Sequence, residues 1–259
     1  MRKIVAFLIF VFLTVSTAFA DLSATFIDVG HGDCAIISCN GETMMIDTGP
    51  TGAWNNIEPK LSEISSLKYL VLTHPHADHI GNAVNVIESV PVDAVILPPI
   101  QHDSKTYGKA MAAINREEIK QIYPFVGDVY QLGGATITVY APYPVAYTET
   151  NDYSIVLMLE YDEIKILFCG DAEAESECDM LAGDLPLKAD ILKVGHHGSD
   201  TSSTYDFVSA VSPAYAIISC GERGDYPSTD VGLTLSEAGA EILVTKTMGD
   251  ITFLLHPAP

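Results

Sequence analysis

The chain has 259 residues, 48% of them hydrophobic, which is enough for one sizeable layered core. Its 34 acidic residues outnumber 13 basic ones, a net charge of −21 with His neutral. That balance argues against a diffuse basic footprint for polyanions or anionic membranes; the nearest approach to a basic group, Lys105, Lys109, Arg116 and Lys120, is scattered.

Residues 1–20 read as a signal peptide. Arg2-Lys3 precede an apolar run over 4–13, and Ala18-Phe19-Ala20 offers a small-x-small cleavage site before Asp21. The expectation is a secreted or extracytoplasmic protein whose mature chain, 21–259, forms one domain with no membrane span. A retained anchor is the competing reading, and the run is short for it. Cleavage would remove two cations and no acid, making the mature chain more negative still.

Strand patterns follow at 24–29, 34–38 and 43–46, the last two joined by Asn40-Gly41, a tight-turn signal. An apolar run at 69–73 ends on His74-Pro75-His76-Ala77-Asp78-His79, three imidazoles and a carboxylate in six residues. Side chains alternate along an extended segment, so His74 and His76 can grip one ion, and Asp78 and His79 then turn toward a second. Such donors suit Zn²⁺, and also Mn²⁺ or Fe²⁺. The density of His speaks against a plain surface loop, and the absence of Cys from the cluster against a structural zinc site. Ala83, Val86, Ile87 and Val90 recur at helical spacing, so this loop opens a helix.

A strand is expected at 92–97, a helix at 109–123, and hairpins at Gly133-Gly134 and Asp162-Glu163. The strand reaching Gly170 ends on Asp171, and a helix over 172–181 follows. Another strand, 191–194, ends on Gly195-His196-His197-Gly198-Ser199. Helices at 204–211 and 229–238 and strands at 214–219, 242–245 and 251–255 complete the chain. Segments 49–59 with Trp54, 98–108 and 222–230 are expected to rim a site. Strands with helices segregated outside them fit an α+β sandwich. The cysteines show no metal-like spacing. Cys34 could pair with Cys39 across a hairpin and Cys169 could reach Cys178, while Cys169 and Cys220 read as buried thiols.

In chain order, Asp47-Thr48-Gly49, His74-x-His76-x-Asp78-His79, Asp171 and His196 resemble the motifs of the metallo-β-lactamase fold superfamily. Asp28-Val-Gly-His-Gly-Asp33, Asn151-Asp-Tyr-Ser154 and His196-His197-Gly198-Ser199 are similar to its competence-protein ComEC/Rec2 branch, over roughly residues 23–255. The resemblance implies a four-layer αββα sandwich with the site at one edge. It implies a hydrolase using a metal-activated hydroxide, with one or two divalent ions, Zn²⁺ or Mn²⁺. By motif matching, His74, His76 and His196 would hold the first ion and Asp78 and His79 the second, with Asp171 bridging. Asp78 would also handle the proton of the attacking water. His197 is open between a second-site ligand, a proton donor to the leaving group and a partner orienting His196, the non-ligand roles leading. Asp33, Asp47, Asn151 and Ser199 would stand beside or behind these groups.

Two features depart from the wider family. Asn151-Asp152 stands where many relatives place a further His ligand, so an oxygen from either would take its place. Tyr226-Pro227-Ser228 stands where a His-Pro-His-like patch is frequent. The leading functional reading is an exported phosphodiesterase or nuclease, with nucleic acid left open as a substrate in the absence of a basic footprint. The chain shows no segment like the branch's membrane channel, so a DNA-uptake role does not carry over. A lactone or β-lactam hydrolase is the alternative chemistry, and a non-catalytic secreted binding module the alternative of another class. Oligomeric state is not legible.

Overall fold

Period-two burial lays down the first sheet. In β1 (Leu22–Phe26) Leu22, Ala24 and Phe26 are buried, while Ser23 and Thr25 face the other way. The computed structural model describes residues 22–256, so the signal-peptide expectation lies outside the described residues. In chain order there follow β2 (Ala35–Cys39), β3 (Glu42–Ile46), α1 (Trp54–Leu61), β4 (Leu67–Val71), α2 (Ala77–Ile80), α3 (Ala83–Ser89), β5 (Val92–Ile96), α4 (Lys105–Arg116) and β6 (Lys120–Ile122). The second half comprises β7 (Val129–Leu132), β8 (Ala135–Ala141), β9 (Val156–Tyr161), β10 (Ile164–Phe168), α5 (Ala174–Ala182), β11 (Ile191–Lys193), α6 (Tyr205–Val211), β12 (Tyr215–Ile218), α7 (Thr229–Glu237), β13 (Glu241–Val244), α8 (Thr245–Met248) and β14 (Ile251–Leu255).

Two seven-stranded sheets result, ordered β14-β1-β2-β3-β4-β5-β6 and β13-β12-β11-β10-β9-β8-β7. Each is mixed. Strands β3 to β6 and β10 to β13 run parallel, the remainder antiparallel. Parallel neighbours need crossovers, and each crossover carries one or more helices to an outer face. The facing sheets share one apolar core, in which the Phe26 and Phe168 rings stack with centroids 5.7 Å apart. A second core lies under α1, α3 and α4, and a third under α5, α6 and α7. This is the expected four-layer αββα sandwich.

Local differences from the sequence reading have physical causes. Helix α4 begins at Lys105, because the Ser104 hydroxyl accepts from the Tyr107 N–H and caps it. It ends at Arg116, with Glu118 at φ +52°, so 120–122 is free to join the sheet beside β5 instead of extending the helix. The segment expected to rim the site at 49–59 folds largely into α1, whose Trp54 packs against the second core. Cys34 and Cys169 form no disulfide, so neither expected pairing occurs; Cys169 and Cys220 are buried.

Helix α5 also anchors the turn that carries the second His cluster. Its Glu177 is buried and accepts the backbone N–H of Ser203 at 2.5 Å and of Thr204 at 2.8 Å. Burial pushes its carboxyl up to about 7, against the pull of those hydrogen bonds. The folded state therefore holds a proton that the unfolded chain has already released between pH 4.5 and about 7. Stability falls as pH rises through that window, by at most about 1.4 kcal/mol per pH unit. Urea unfolding of the parent and Glu177→Gln at pH 5 and 7.5 should show a smaller loss in the variant; equal losses would remove this account.

Candidate metal centre

The centre lies where β3, β4, β10 and β11 reach their C-terminal ends on one edge of the sandwich. Strand β3 gives way to Asp47, fully buried and left-handed at φ +56°. Its Oδ1 accepts the Thr73 N–H at 2.8 Å. Its Oδ2 accepts the Thr73 hydroxyl at 2.7 Å and lies 2.8 Å from His79 Nδ1. Having given its proton to Asp47, Thr73 Oγ1 can accept from His74 Nδ1, 3.2 Å away. One carboxylate thus fixes two imidazoles by their Nδ1 atoms and leaves each Nε2 as the donor of a lone pair.

The third imidazole is His197. Its Nδ1 lies 2.9 Å from the Ser219 carbonyl oxygen, which can only accept, so Nε2 is again the outward lone pair. His196 and His197 are both left-handed, at φ +44° and +57°. Each such residue costs about 1–2 kcal/mol, and the pair of turns sends His197 inward and His196 to the cleft wall. His196 Nδ1 lies 2.9 Å from both Glu173 Oε1 and Thr201 Oγ1.

All three Nε2 atoms converge on Asp171. His79 Nε2 is 3.1 Å from Oδ1, and those of His74 and His197 are 3.6 and 3.5 Å from Oδ2. His79 Nε2 and His197 Nε2 are 3.3 Å apart, and His74 Nε2 is 3.1 Å from His76 Nδ1. Nitrogen lone pairs that close repel unless a proton or a cation lies between them. Asp171 Oδ1 has nothing beyond its 3.1 Å contact with His79 Nε2, and the buried Asn151 Oδ1 has no hydrogen-bond partner. Asn151 Nδ2 donates to Glu173 Oε1 at 2.7 Å, which fixes the amide. Orphaned oxygens and crowded imidazoles are what residues shaped to grip a cation leave behind.

Charge balance agrees. Burial, then His79, holds His74 well below the usual imidazole range. Burial works the same way on His79 and His197, but Asp171 together with Asp47 outweighs it at His79, and Asp171 together with Asp33 at His197, so both are raised. Burial also opposes ionisation of Asp171, yet His197, His79 and His74 hold its carboxyl well below the usual range. A divalent cation would displace those imidazole protons and supply the same positive charge.

Of the residues anticipated from sequence, His74, His79 and Asp171 form one compact set. His76 is half-buried beside His74. Asp78 stands at the cleft with Oδ2 3.8 Å from His197 Nε2. Ser199 lies off the centre, its Oγ accepting from Thr201. Asp33 lies behind His197, with Oδ1 3.3 Å from Nδ1. Three participants went unread. Lys193 is buried against Asp33 Oδ2 at 2.6 Å, with no motif to announce it. Arg223 reaches to 3.9 Å from Asp78 Oδ2 out of the segment expected to form a rim. His31 lines the cleft; it lies in the Asp28–Asp33 motif, which by itself assigns it no role. The cleft is open, about 330 Å³ in volume, and is walled further by Asn151, His196 and Tyr226.

An αββα sandwich gathering imidazoles and a carboxylate at its strand ends is the architecture of a metal-centred protein. The chain belongs to the metallo-beta-lactamase superfamily, whose sequence model matches residues 27–222. It is similar to ComE operon protein 3 of Bacillus subtilis (strain 168), with 29% identity over 272 residues, covering 96% of this chain and 34% of that protein. It is also similar to Recombination protein 2 of Haemophilus influenzae, with 31% identity over 205 residues, covering 75% and 24%. The ComEC/Rec2-like resemblance is thereby borne out, and the chain spans only 34% and 24% of these two relatives. In fold it is similar to the metallo-beta-lactamase fold protein YhfI from Bacillus subtilis, with a TM-score of 0.60 at 12% identity over 90% of this chain and 99% of that one. It is likewise similar to CmlA, a diiron beta-hydroxylase from Streptomyces venezuelae, with a TM-score of 0.61 at 13% identity over 92% and 55%.

The pair beneath the centre is testable. Burial would raise Asp33, but Lys193 and then His197 pull it down to about 2. Asp33→Ala strands a buried ammonium and should cost about 3–5 kcal/mol, and Asp33→Ala/Lys193→Met should recover most of it. Denaturant unfolding measures both; equal losses would show that the pairing contributes nothing.

Proposed function

We propose that the chain is an exported metal-dependent hydrolase acting on a phosphodiester. The observation that carries this reading is the convergence of three Nε2 atoms on Asp171, each with its Nδ1 held from behind. His74, His76, Asp78, His79, Asp171 and His197 are the residues that would hold one or two divalent ions, Zn²⁺ or Mn²⁺, with Asn151 Oδ1 as a further oxygen ligand. Such ions, when bound, supply a Lewis acid and an activated water at neutral pH.

The protein's own groups do the rest. Asp78, partly exposed at the cleft, would accept the proton of the attacking water. His197 is 1% exposed, which suits a ligand better than a proton donor. His196 faces the cleft and is oriented by Glu173 and Thr201, which suits protonation of a leaving group. Arg223 offers a planar fork of donors to an anionic phosphate. A cleft of about 330 Å³ in a chain of net charge −21 favours a short or locally held phosphodiester over a long polyanion. Export is supported by the leader pattern of residues 1–20; no described helix is long and apolar enough to cross a membrane.

The test is turnover of bis(p-nitrophenyl) phosphate and short oligonucleotides beside nitrocefin and a simple lactone, by metal-stripped protein and after addition of Mn²⁺ or Zn²⁺. Phosphodiester cleavage should require the metal and fall at least about 100-fold in Asp78→Ala and Asp171→Ala. Arg223→Ala should raise KM about tenfold with a smaller change in kcat. Turnover of the lactone or lactam without the phosphodiesters would overturn the proposal.

A further inference from the structure

We infer that His31 is a metal ligand, forming with Asp78 and His197 a second cation position beside the one built by His74, His79 and Asp171. This rests on the reading of the centre as a metal-dependent hydrolase site and gives a ligand role to a residue inside the Asp28–Asp33 motif that the sequence reading left without one. Donor atoms of His31, Asp78 and His197 all lie within 4.8 Å of one another, as do those of His74, His79 and Asp171. The two sets abut, with His197 Nε2 3.3 Å from His79 Nε2 and 3.5 Å from Asp171 Oδ2. Each set offers three donors to one ion, with Asp171 and His197 at the seam; a third set, Asp33, Asp47 and His79, is already engaged by Lys193 and Thr73.

Two further observations bear on His31. Its Nδ1 is buried and has no hydrogen-bond partner, a loss of solvation that needs compensation. Its backbone, moreover, is clamped into place. A Cβ on Gly32 would fall 2.3 Å from the Asp78 carbonyl oxygen, and one on Gly221 would fall 2.5 Å from the His31 nitrogen. Gly32 also takes φ +147°. Glycine at both positions lets the 30–33 loop press between the metal loop and the end of β12, with Asp33 N–H on the Asp78 carbonyl at 3.3 Å. The imidazole is thereby set over His197, ring centroids 4.4 Å apart, and edge-on to Tyr226 at 4.8 Å. A packing role alone would not call for a ring nitrogen within 4.8 Å of a carboxylate oxygen and of a second imidazole nitrogen.

The experiment titrates metal-stripped protein with Zn²⁺ against a chromogenic chelator and reads stoichiometry and affinity, not activity. The parent should take up two equivalents. His31→Ala and His31→Asn should retain the tighter one and bind the other at least about tenfold more weakly. Co²⁺ substitution should show the matching loss of d–d absorption for one ion. Thermal melts of the metal-free proteins check that both half-exposed substitutions leave the fold intact. Two unchanged equivalents in both variants would overturn the inference and leave the hydrolase reading standing. A parent that binds one equivalent would do the same, whereas a parent that binds none would remove the metal centre and this inference with it.

Discussion

Asp47 takes two hydrogen bonds from Thr73 and a third contact from His79 Nδ1 in a place shut off from water. The geometry of the centre depends on that carboxylate. Strands β3 and β4 are parallel neighbours with Ile46 opposite Val71, so the residues just past their ends meet. The left-handed turn at Asp47 lets the next residue reach across. Thr48 N–H and its hydroxyl both bond the His79 carbonyl, and Asn82 bridges the Thr48 and Pro50 carbonyls. The metal loop is tied to its neighbour through backbone and side chain before any ion is considered. A ligand set held this rigidly loses little entropy on binding, which is the advantage of preorganisation.

Burying so many ionisable groups sets a second constraint. Asp33, Asp47 and Asp171 lie within a few residues' reach of one another, and an unpaired buried carboxylate is prohibitively costly. Lys193 answers Asp33 from inside the second sheet, and protonated imidazoles answer Asp47 and Asp171. The two answers differ in place. Lys193 is locked at 4% exposure, with its Nζ also donating to the Val194 carbonyl, so its pair with Asp33 supports the wall. The imidazoles lie at the reactive face, where a metal ion can displace their protons.

How much of this could be read in advance follows from the range of the forces involved. Period-two burial and turn residues are local, so the strands, the Asn40-Gly41 hairpin and the helix opened by His74–His79 were legible. The stop at Glu118 depends on one left-handed residue inside an apolar pattern that still reads as helix, so α4 was extended over what is an edge strand. The dyad His196-His197 is the sharper case. Two consecutive left-handed residues exchange the faces that a simple strand ending would assign, and nothing in the letters HHG reports a dihedral angle. Lys193 in a β-strand carries no periodic or motif signal, and His31 lies in the Asp28–Asp33 motif with glycines, not a second ligand type, directly beside it in sequence. Their roles arise from partners about 160 and 45 residues away along the chain.

The acidity of the chain and the anionic substrate proposed for it are reconciled by distance. Surface charge acts through salt water and fades over about 8–10 Å, so the net −21 lowers the encounter rate more than it weakens a contact once made. Within the cleft the balance is different: Arg223 stands at the mouth and the centre is built to receive divalent cations. One cation at the mouth can release about one counterion, far from the six to ten that give duplex-binding grooves their steep salt dependence. For the proposed phosphodiester, affinity would therefore come from the few atoms next to the centre. A substrate whose charge is confined to one or two phosphates gains as much from those atoms as a long strand, and meets less repulsion from the surrounding surface.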